Sequence, residues 1–297
     1  MLRERSEETK KLKNRIRYFE CKNVFSSIKN MAYAVVKGEP LSLLAYGETG
    51  KRSSSDIDIL VTKEDIINLE GVLRENGFEY SSGITREDRI FYISQSHQLM
   101  PYVKRTSLLN VTIDINFDIF WGGYIGKAAN ISEFLKDTEE VIIYGNYVKT
   151  LSPIKSLIHL CLHHYKELNS IYLLSIHNFY RRDVFMDVYM LIKNNLGLDD
   201  ILQIVKICEE LDIVAYAYFV FYYTYLLFPD LIIEKLLKQL FTPQGEKLIE
   251  HYGLEERRKW KLSFEERLHI DSVYESIKSD LTEEDIKKIK VNTHYFM

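Results

Sequence analysis

Arg52-Ser-Ser-Ser-Asp56-Ile-Asp58-Ile-Leu60-Val61 sets two carboxylates two residues apart at the head of an apolar run. In a strand, side chains at i and i+2 share a face, so Asp56 and Asp58 look out together while Ile57 and Ile59 look into a core. Two neighbouring carboxylates on a rigid strand repel each other unless a cation lies between them or one holds a proton. The stretch therefore predicts a divalent-metal site on a β-strand and leaves the rest of the chain to supply a third ligand.

Upstream, Ala32–Val36 reads as a strand, closed by the turn Lys37-Gly38-Glu39-Pro40. Pro40 suits the first position of a helix that continues to about Tyr46. Before it, residues 5–30 carry Ile16, Phe19, Val24, Phe25 and Ile28 near helical spacing, an amphipathic helix with a basic first half. Downstream, Lys63–Asn76 is a helix ended by Gly77 as a left-handed cap. Phe91–Ile93, roughly His97–Lys104, and Asn110–Phe120 read as further strands. In the last of these, Val111, Ile113, Ile115 and Phe117 share one face, and Thr112, Asp114, Asn116 and Asp118 the other. Such a polar row is unusual for a merely solvated sheet edge.

Val141–Tyr144 and Tyr147–Thr150, joined at Gly145-Asn146, read as a hairpin. At Ser152-Pro153, a helix N-cap followed by a proline at the first helical position, the pattern changes. Helices are expected from there to the end, among them 153–167, 171–195, 199–211, 213–228, 230–241, 244–252, 264–279 and 282–290. The expected division is 1–151, an α/β domain with its N-terminal helix, and 152–297, a helical domain.

With 297 residues, 46% apolar and 28% charged, the composition is that of a globular protein of one or two domains with a sizeable core. The net charge of −4 shows no basic footprint, which favours small-molecule, nucleotide or protein partners over nucleic acid. Cys21, Cys161 and Cys208 are far apart and outside metal spacing, as suits unpaired thiols in a reducing compartment. The N-terminal stretch is charged throughout, with no apolar signal segment. Ile213–Phe228 is uncharged for sixteen residues, short of the ~20 that span a bilayer. It reads as a buried helix. A cytoplasmic protein without membrane contact is expected.

The ordered set Val36-Lys37-Gly38, Arg52-x-x-x-Asp56-x-Asp58-x-Leu60-Val61, Gly77-Phe78, Thr112-Ile-Asp114-Ile-Asn116 and Leu151-Ser-Pro153 resembles the polymerase-beta-like nucleotidyltransferase superfamily. Within it, the pattern is similar to the bacterial family usually called uncharacterised nucleotidyltransferases. The likeness runs over roughly residues 30–195, on through Leu157-Ile-His-Leu-Cys-Leu-His163 to Arg182 and Asp187.

The resemblance implies an α/β (α+β) fold, a nucleotidyltransferase domain with a mixed sheet followed by an all-helical C-terminal domain. It also implies a two-metal transfer. Asp56, Asp58 and Asp114 would be the metal-binding and catalytic carboxylates for two Mg2+. An NMP would pass from an NTP to a hydroxyl of a small-molecule, peptide or protein acceptor, with release of pyrophosphate.

Gly38 would let the backbone approach phosphate, with Lys37, Arg52 and Ser55 as further nucleotide contacts; Arg52 either offsets phosphate charge or orients the carboxylates. A tRNA nucleotidyltransferase of toxin type and a non-catalytic nucleotide-binding scaffold are the alternatives. The superfamily's Gly-Ser turn is here Gly38-Glu39, which leaves the hydroxyl to Ser53, Ser54 or Ser55, with Gly47-Glu48 as a second alignment of the turn. Asn116 stands where the family often has His. Asp118 is the rival third carboxylate.

His159 and His163 are one helical turn apart with His164 adjacent, a spacing that suits zinc. No third soft ligand stands nearby, so they read as core, with His163 a candidate contact for the nucleotide or acceptor. Arg182 and Asp187 read either as parts of a salt-bridged helix face or as ligand contacts.

Overall fold

The computed structural model describes residues 2–52, 54–121, 127–177 and 179–296, with side chains from 8 to 293. It divides into two compact units, Met1–Ser156 and Leu157–Met297.

In the first unit the elements run α1 (Leu2–Glu20), α2 (Lys22–Ile28), β1 (Tyr33–Val36), α3 (Gly38–Tyr46), β2 (Asp56–Val61), α4 (Ile66–Glu75), β3 (Glu79–Tyr80), α5 (Arg86–Gln95), β4 (Tyr102–Arg105), β5 (Asn110–Asn116), α6 (Ile131–Phe134), β6 (Thr138–Ile143) and β7 (Asn146–Leu151). Five strands form one mixed sheet in the order β1-β2-β5-β4-β3. The β2–β5 pair is parallel, and β1–β2, β4–β5 and β3–β4 are antiparallel. Ile57, Ile59, Leu60, Val61, Val111, Ile113 and Ile115 are all buried. The centre of the sheet is thus covered on both faces, which is why β2 reads as a nearly unbroken apolar run.

Gly77 has φ +81, and the Gly77 and Phe78 amides donate back to the Arg74 and Leu73 carbonyls. That is the left-handed cap expected at the end of α4. β6 and β7 form the expected hairpin, but its turn is Tyr144-Gly145, both at positive φ. Two positive-φ residues make the two-residue turn whose twist matches that of the strands. The Thr150 hydroxyl donates to the Val35 carbonyl at 2.9 Å, and Lys149 Nζ to that of Met31 at 2.9 Å, which ties the hairpin beside β1.

Three strand expectations change. Phe91–Ile93 lies inside α5, where Thr85 and Asp88 close a capping box: each side chain takes the other's backbone N–H. A capping box satisfies two helix-end donors at once and outweighs the β preference of Phe, Tyr and Ile. The stretch at 97–104 narrows to β4 plus a single bridge between Gln98 and Asn116. β5 ends at Asn116, so Asp118 leaves the strand face.

In the second unit α7 (Pro153–Asn169), which begins at the end of the first, is followed by α8 (Ile171–Ile176), α9 (Arg182–Asn195), α10 (Ile201–Glu210), α11 (Val214–Leu227), α12 (Leu231–Leu240), α13 (Pro243–Ile249), β8 (His251–Tyr252), β9 (Arg258–Lys259), α14 (Phe264–His269), α15 (Val273–Ile277) and α16 (Glu283–Phe296). The expected helix 171–195 is interrupted between α8 and α9, and 264–279 between α14 and α15. Arg267 is buried among Tyr180, Tyr223, Trp260 and Phe264, its guanidinium 4.3 Å from the Trp260 ring centre and donating to both tyrosine hydroxyls. A cation held by π faces and two hydroxyls organises this core. Among the described residues no helix is long and apolar enough to cross a membrane.

Candidate functional site

Strand register brings the acidic residues together. In the parallel β2–β5 pair Asp58 stands opposite Asp114 and Asp56 opposite Thr112, while on the other side Val36 stands opposite Asp58. The residue after Val36 is Lys37, and its backbone turns sharply, with φ 61 and ψ −153. That turn carries Lys37 Nζ to 3.0 Å from Asp58 Oδ1. Asn116 Nδ2 donates to the same oxygen at 3.3 Å.

Asp58 is therefore not the outward-looking carboxylate expected from alternation. It is 4% exposed. Burial pushes its pKa above the ordinary carboxylate value and Asp56 adds to the rise; Lys37 and Asn116 offset part of it. Asp56 is half-buried and accepts from the hydroxyls of Ser54 at 3.1 Å and Ser55 at 3.3 Å. Asp114 is 9% exposed. Among the described residues these three carboxylates do not draw their oxygens together as a metal-holding group; Asp58 is turned to Lys37 and Asp56 to the serines.

Asp118, the rival, serves the backbone. Its Oδ1 accepts from the amides of Ile119 (2.7 Å), Phe120 (3.1 Å) and Ala129 (3.3 Å). Burial raises its pKa more than those amides lower it.

The turn before α3 is Lys37-Gly38, both at positive φ. Gly38 starts α3 two residues before Pro40, so the proline is third in the helix rather than first. A Cβ on Gly38 would lie 3.3 Å from Ser54 Oγ, so the Ser54 hydroxyl sits against this turn. Ser53 lies outside the described residues. Gly47, the second alignment considered, is the left-handed C-cap of α3, its amide donating to the Leu43 carbonyl at 2.8 Å, and so does not precede a helix.

Glu39 does not replace the missing hydroxyl. It is 2% exposed, accepts from the Gly50 amide at 2.7 Å, and is held by Asn14 of α1. Burial raises its pKa against those hydrogen bonds. Ser42, fully buried, donates to the Glu48 carbonyl and accepts from the Lys51 and Arg52 amides. Glu39 and Ser42 thus brace the loop that carries Arg52, which is half-buried.

Arg17 of α1 donates to Asn14 and, at 3.0 Å, to the Ser54 carbonyl. Burial lowers its pKa, while Asp56 and Glu39 hold it up. Arg17, Asn14 and Glu39 escape a reading of the sequence, because their role arises from α1 meeting segments 25 to 37 residues downstream. The one signal was the basic first half of that helix.

The donor set suits a hard divalent cation: oxygen ligands only, with a buried carboxylate that needs a positive neighbour. Lys37 supplies that charge at 3.0 Å. Lys37 thus stands beside Asp58, and Arg17 interacts electrostatically with Asp56.

Arg182 opens α9 and stacks on Phe228 at 5.1 Å, Arg181 pairs with Asp183, and Asp187 is 5% exposed on the same helix. On α7 the rings of His159 and His163 lie parallel with centres 6.2 Å apart. A third donor does stand beside His163 and His164: Glu167, a carboxylate rather than a soft ligand.

Residues 2–229 match the model of a family described as uncharacterised nucleotidyltransferase. No curated protein matches the chain. Among solved structures, the crystal structure of an antigenic nucleotidyltransferase-like protein from Paracoccidioides brasiliensis is similar at 17% identity over 58% of this chain and 76% of that one. Its TM-score is 0.33, too low for the likeness to bear on the argument.

Proposed function

From the premise that this chain belongs to the uncharacterised nucleotidyltransferase family, we propose that it moves an NMP from an NTP to a hydroxyl of a small-molecule, peptide or protein acceptor, with Mg2+ and with release of pyrophosphate. The observation that supports this best is the strand register: Asp58 opposite Asp114 with Asp56 two residues before it. Asp56, Asp58 and Asp114 are the proposed ligands. Bound there, Mg2+ would neutralise triphosphate charge and favour the oxyanion form of the attacking hydroxyl.

The protein's own groups do the positioning. Lys37, held by its backbone turn beside Asp58, is the proposed partner for a phosphate oxygen. Gly38 puts no side chain at the start of α3, where backbone N–H groups and the helix dipole favour an anion. Ser54, against Gly38, and Ser55 beside it offer the hydroxyls that the Gly38-Glu39 turn lacks. Arg17 and Arg52 add positive charge at the loop. Asn116 keeps Asp58 oriented by donating to its Oδ1.

The test follows α-phosphate label from each NTP into a lysate fractionated into small molecules, RNA and protein, with and without Mg2+. Metal-dependent labelling of small molecules or protein is expected. Asp56→Asn combined with Asp58→Asn should lower labelling by at least ~10³-fold, the scale of losing a main electrostatic stabiliser of the transition state. A double variant that binds Mg-ATP and labels as well as the parent would remove the carboxylates from the reaction. Label in tRNA would favour the toxin-type alternative.

A further inference from the structure

On α7, one turn of helix holds two imidazoles against one carboxylate. His163 Nε2 lies 3.0 Å from Glu167 Oε1, and His164 Nδ1 lies 3.1 Å from Glu167 Oε2. The three donor atoms all fall within 4.8 Å of one another, the one such His/Cys/Asp/Glu group among the described residues. Helix geometry explains the convergence: His163 and Glu167 are four apart and His164 and Glu167 three apart, so both rings reach the same carboxylate. The side chains of His163 and Glu167 are each 15% exposed and that of His164 is 1% exposed. An ion reaching the group would approach along the His163–Glu167 edge.

We propose that His163, His164 and Glu167 form a binding site for a zinc-class divalent cation, separate from the carboxylate site on β2 and β5. Two nitrogens and one oxygen make a borderline-soft donor set that prefers Zn2+, Co2+ or Ni2+, whereas the aspartates offer oxygen alone and suit Mg2+. Two observations favour an ion over a simple pair of hydrogen bonds. Each imidazole nitrogen lies against a different oxygen of the same carboxylate, and a cation that takes the place of the bridging protons meets all three donors within 4.8 Å of one another. His164 is almost wholly buried and its Nε2 has no hydrogen-bond partner, so the ring is held by what its Nδ1 does at Glu167. Three protein donors leave the remaining coordination positions to solvent or an incoming group.

The proposal does not depend on the nucleotidyl-transfer reading, and its test is arranged to keep the two apart. The full-length Asp56→Asn, Asp58→Asn protein, which lacks the proposed Mg2+ ligands, is titrated with ZnCl2 by calorimetry and with CoCl2 by visible absorption, without nucleotide. One Zn2+ equivalent per chain and an intense Co2+ d–d band are expected. Adding His163→Gln or, separately, Glu167→Gln should weaken Zn2+ binding by at least tenfold and erase the band. The far-ultraviolet dichroism of each variant checks that it folds. If the double aspartate variant takes up no stoichiometric Zn2+, the site does not exist, whatever the other variants do. Zn2+ binding that is indifferent to folded His163→Gln and Glu167→Gln proteins would place the ion elsewhere and overturn the assignment.

Discussion

Lys37 occupies a backbone region that residues other than glycine rarely enter, φ 61 with ψ −153. Such positions store of order 1–3 kcal/mol and persist where the surroundings insist on them. Here the insistence is electrostatic: the turn is what carries the ammonium to the buried Asp58 carboxylate. Lys37→Gly and Lys37→Ala both lose the ammonium and differ only in backbone freedom. Urea denaturation should find the glycine variant more stable than the alanine one by about 1–2 kcal/mol, the reverse of the usual order. Both should bind nucleotide weakly if the proposed phosphate contact holds.

Glu39 carries a second residue-scale prediction. Its folded pKa lies above the ordinary 4.5 because of burial. The folded state therefore keeps the proton to higher pH than the unfolded chain does. The stability that goes with that proton is complete below 4.5 and is lost as pH rises through the folded value. Glu39→Gln removes this loss while keeping an acceptor for the Gly50 amide. Denaturation across pH 4–8 should show the Gln variant gaining on the parent as pH rises. Glu39→Ala should lose about 1–3 kcal/mol at any pH, since it orphans the amide and Asn14.

Among the elements, α5 separates two kinds of local signal. Thr85-Arg-Glu-Asp88 spells a helix start, yet Phe91-Tyr-Ile93 spells a strand, and the cap decides. Thr85→Ala should destabilise the protein by about 1 kcal/mol in chemical denaturation, as loss of an N-cap acceptor does. The end of β5 was illegible for a different reason. Asp118 continues the alternating pattern, but after Phe117 its carboxylate gathers three backbone amides, one of them from Ala129, eleven residues on. A bond across a loop leaves no trace in the periodicity. By contrast Gly77 and the β6–β7 hairpin were readable because their geometry depends on neighbours in sequence.

Over the whole molecule, the three cysteines are all buried. Burial pushes the thiols of Cys21 and Cys208 up to about 12 and that of Cys161 well above its ordinary value. The thiolate is the reactive form, so the native protein should show no rapid reaction with a disulfide reagent at pH 8. All three thiols should react once it is unfolded in guanidinium. A fast native thiol would contradict this packing.

Sequence alone determined the strand-borne Asp56 and Asp58, the polar face through Asp114 and the change to helices after Ser152-Pro153. Those are local facts: side-chain period, caps and turns act over a few residues. Only the tertiary structure decided that Asp58 pairs with Lys37 across β1–β2, that Asp118 belongs to a loop and that α1 braces the site through Arg17 and Asn14. It also set Glu167 beside His163 and His164 as a three-donor cluster. Register and burial set these contacts, and both come from the packing of segments far apart in the chain.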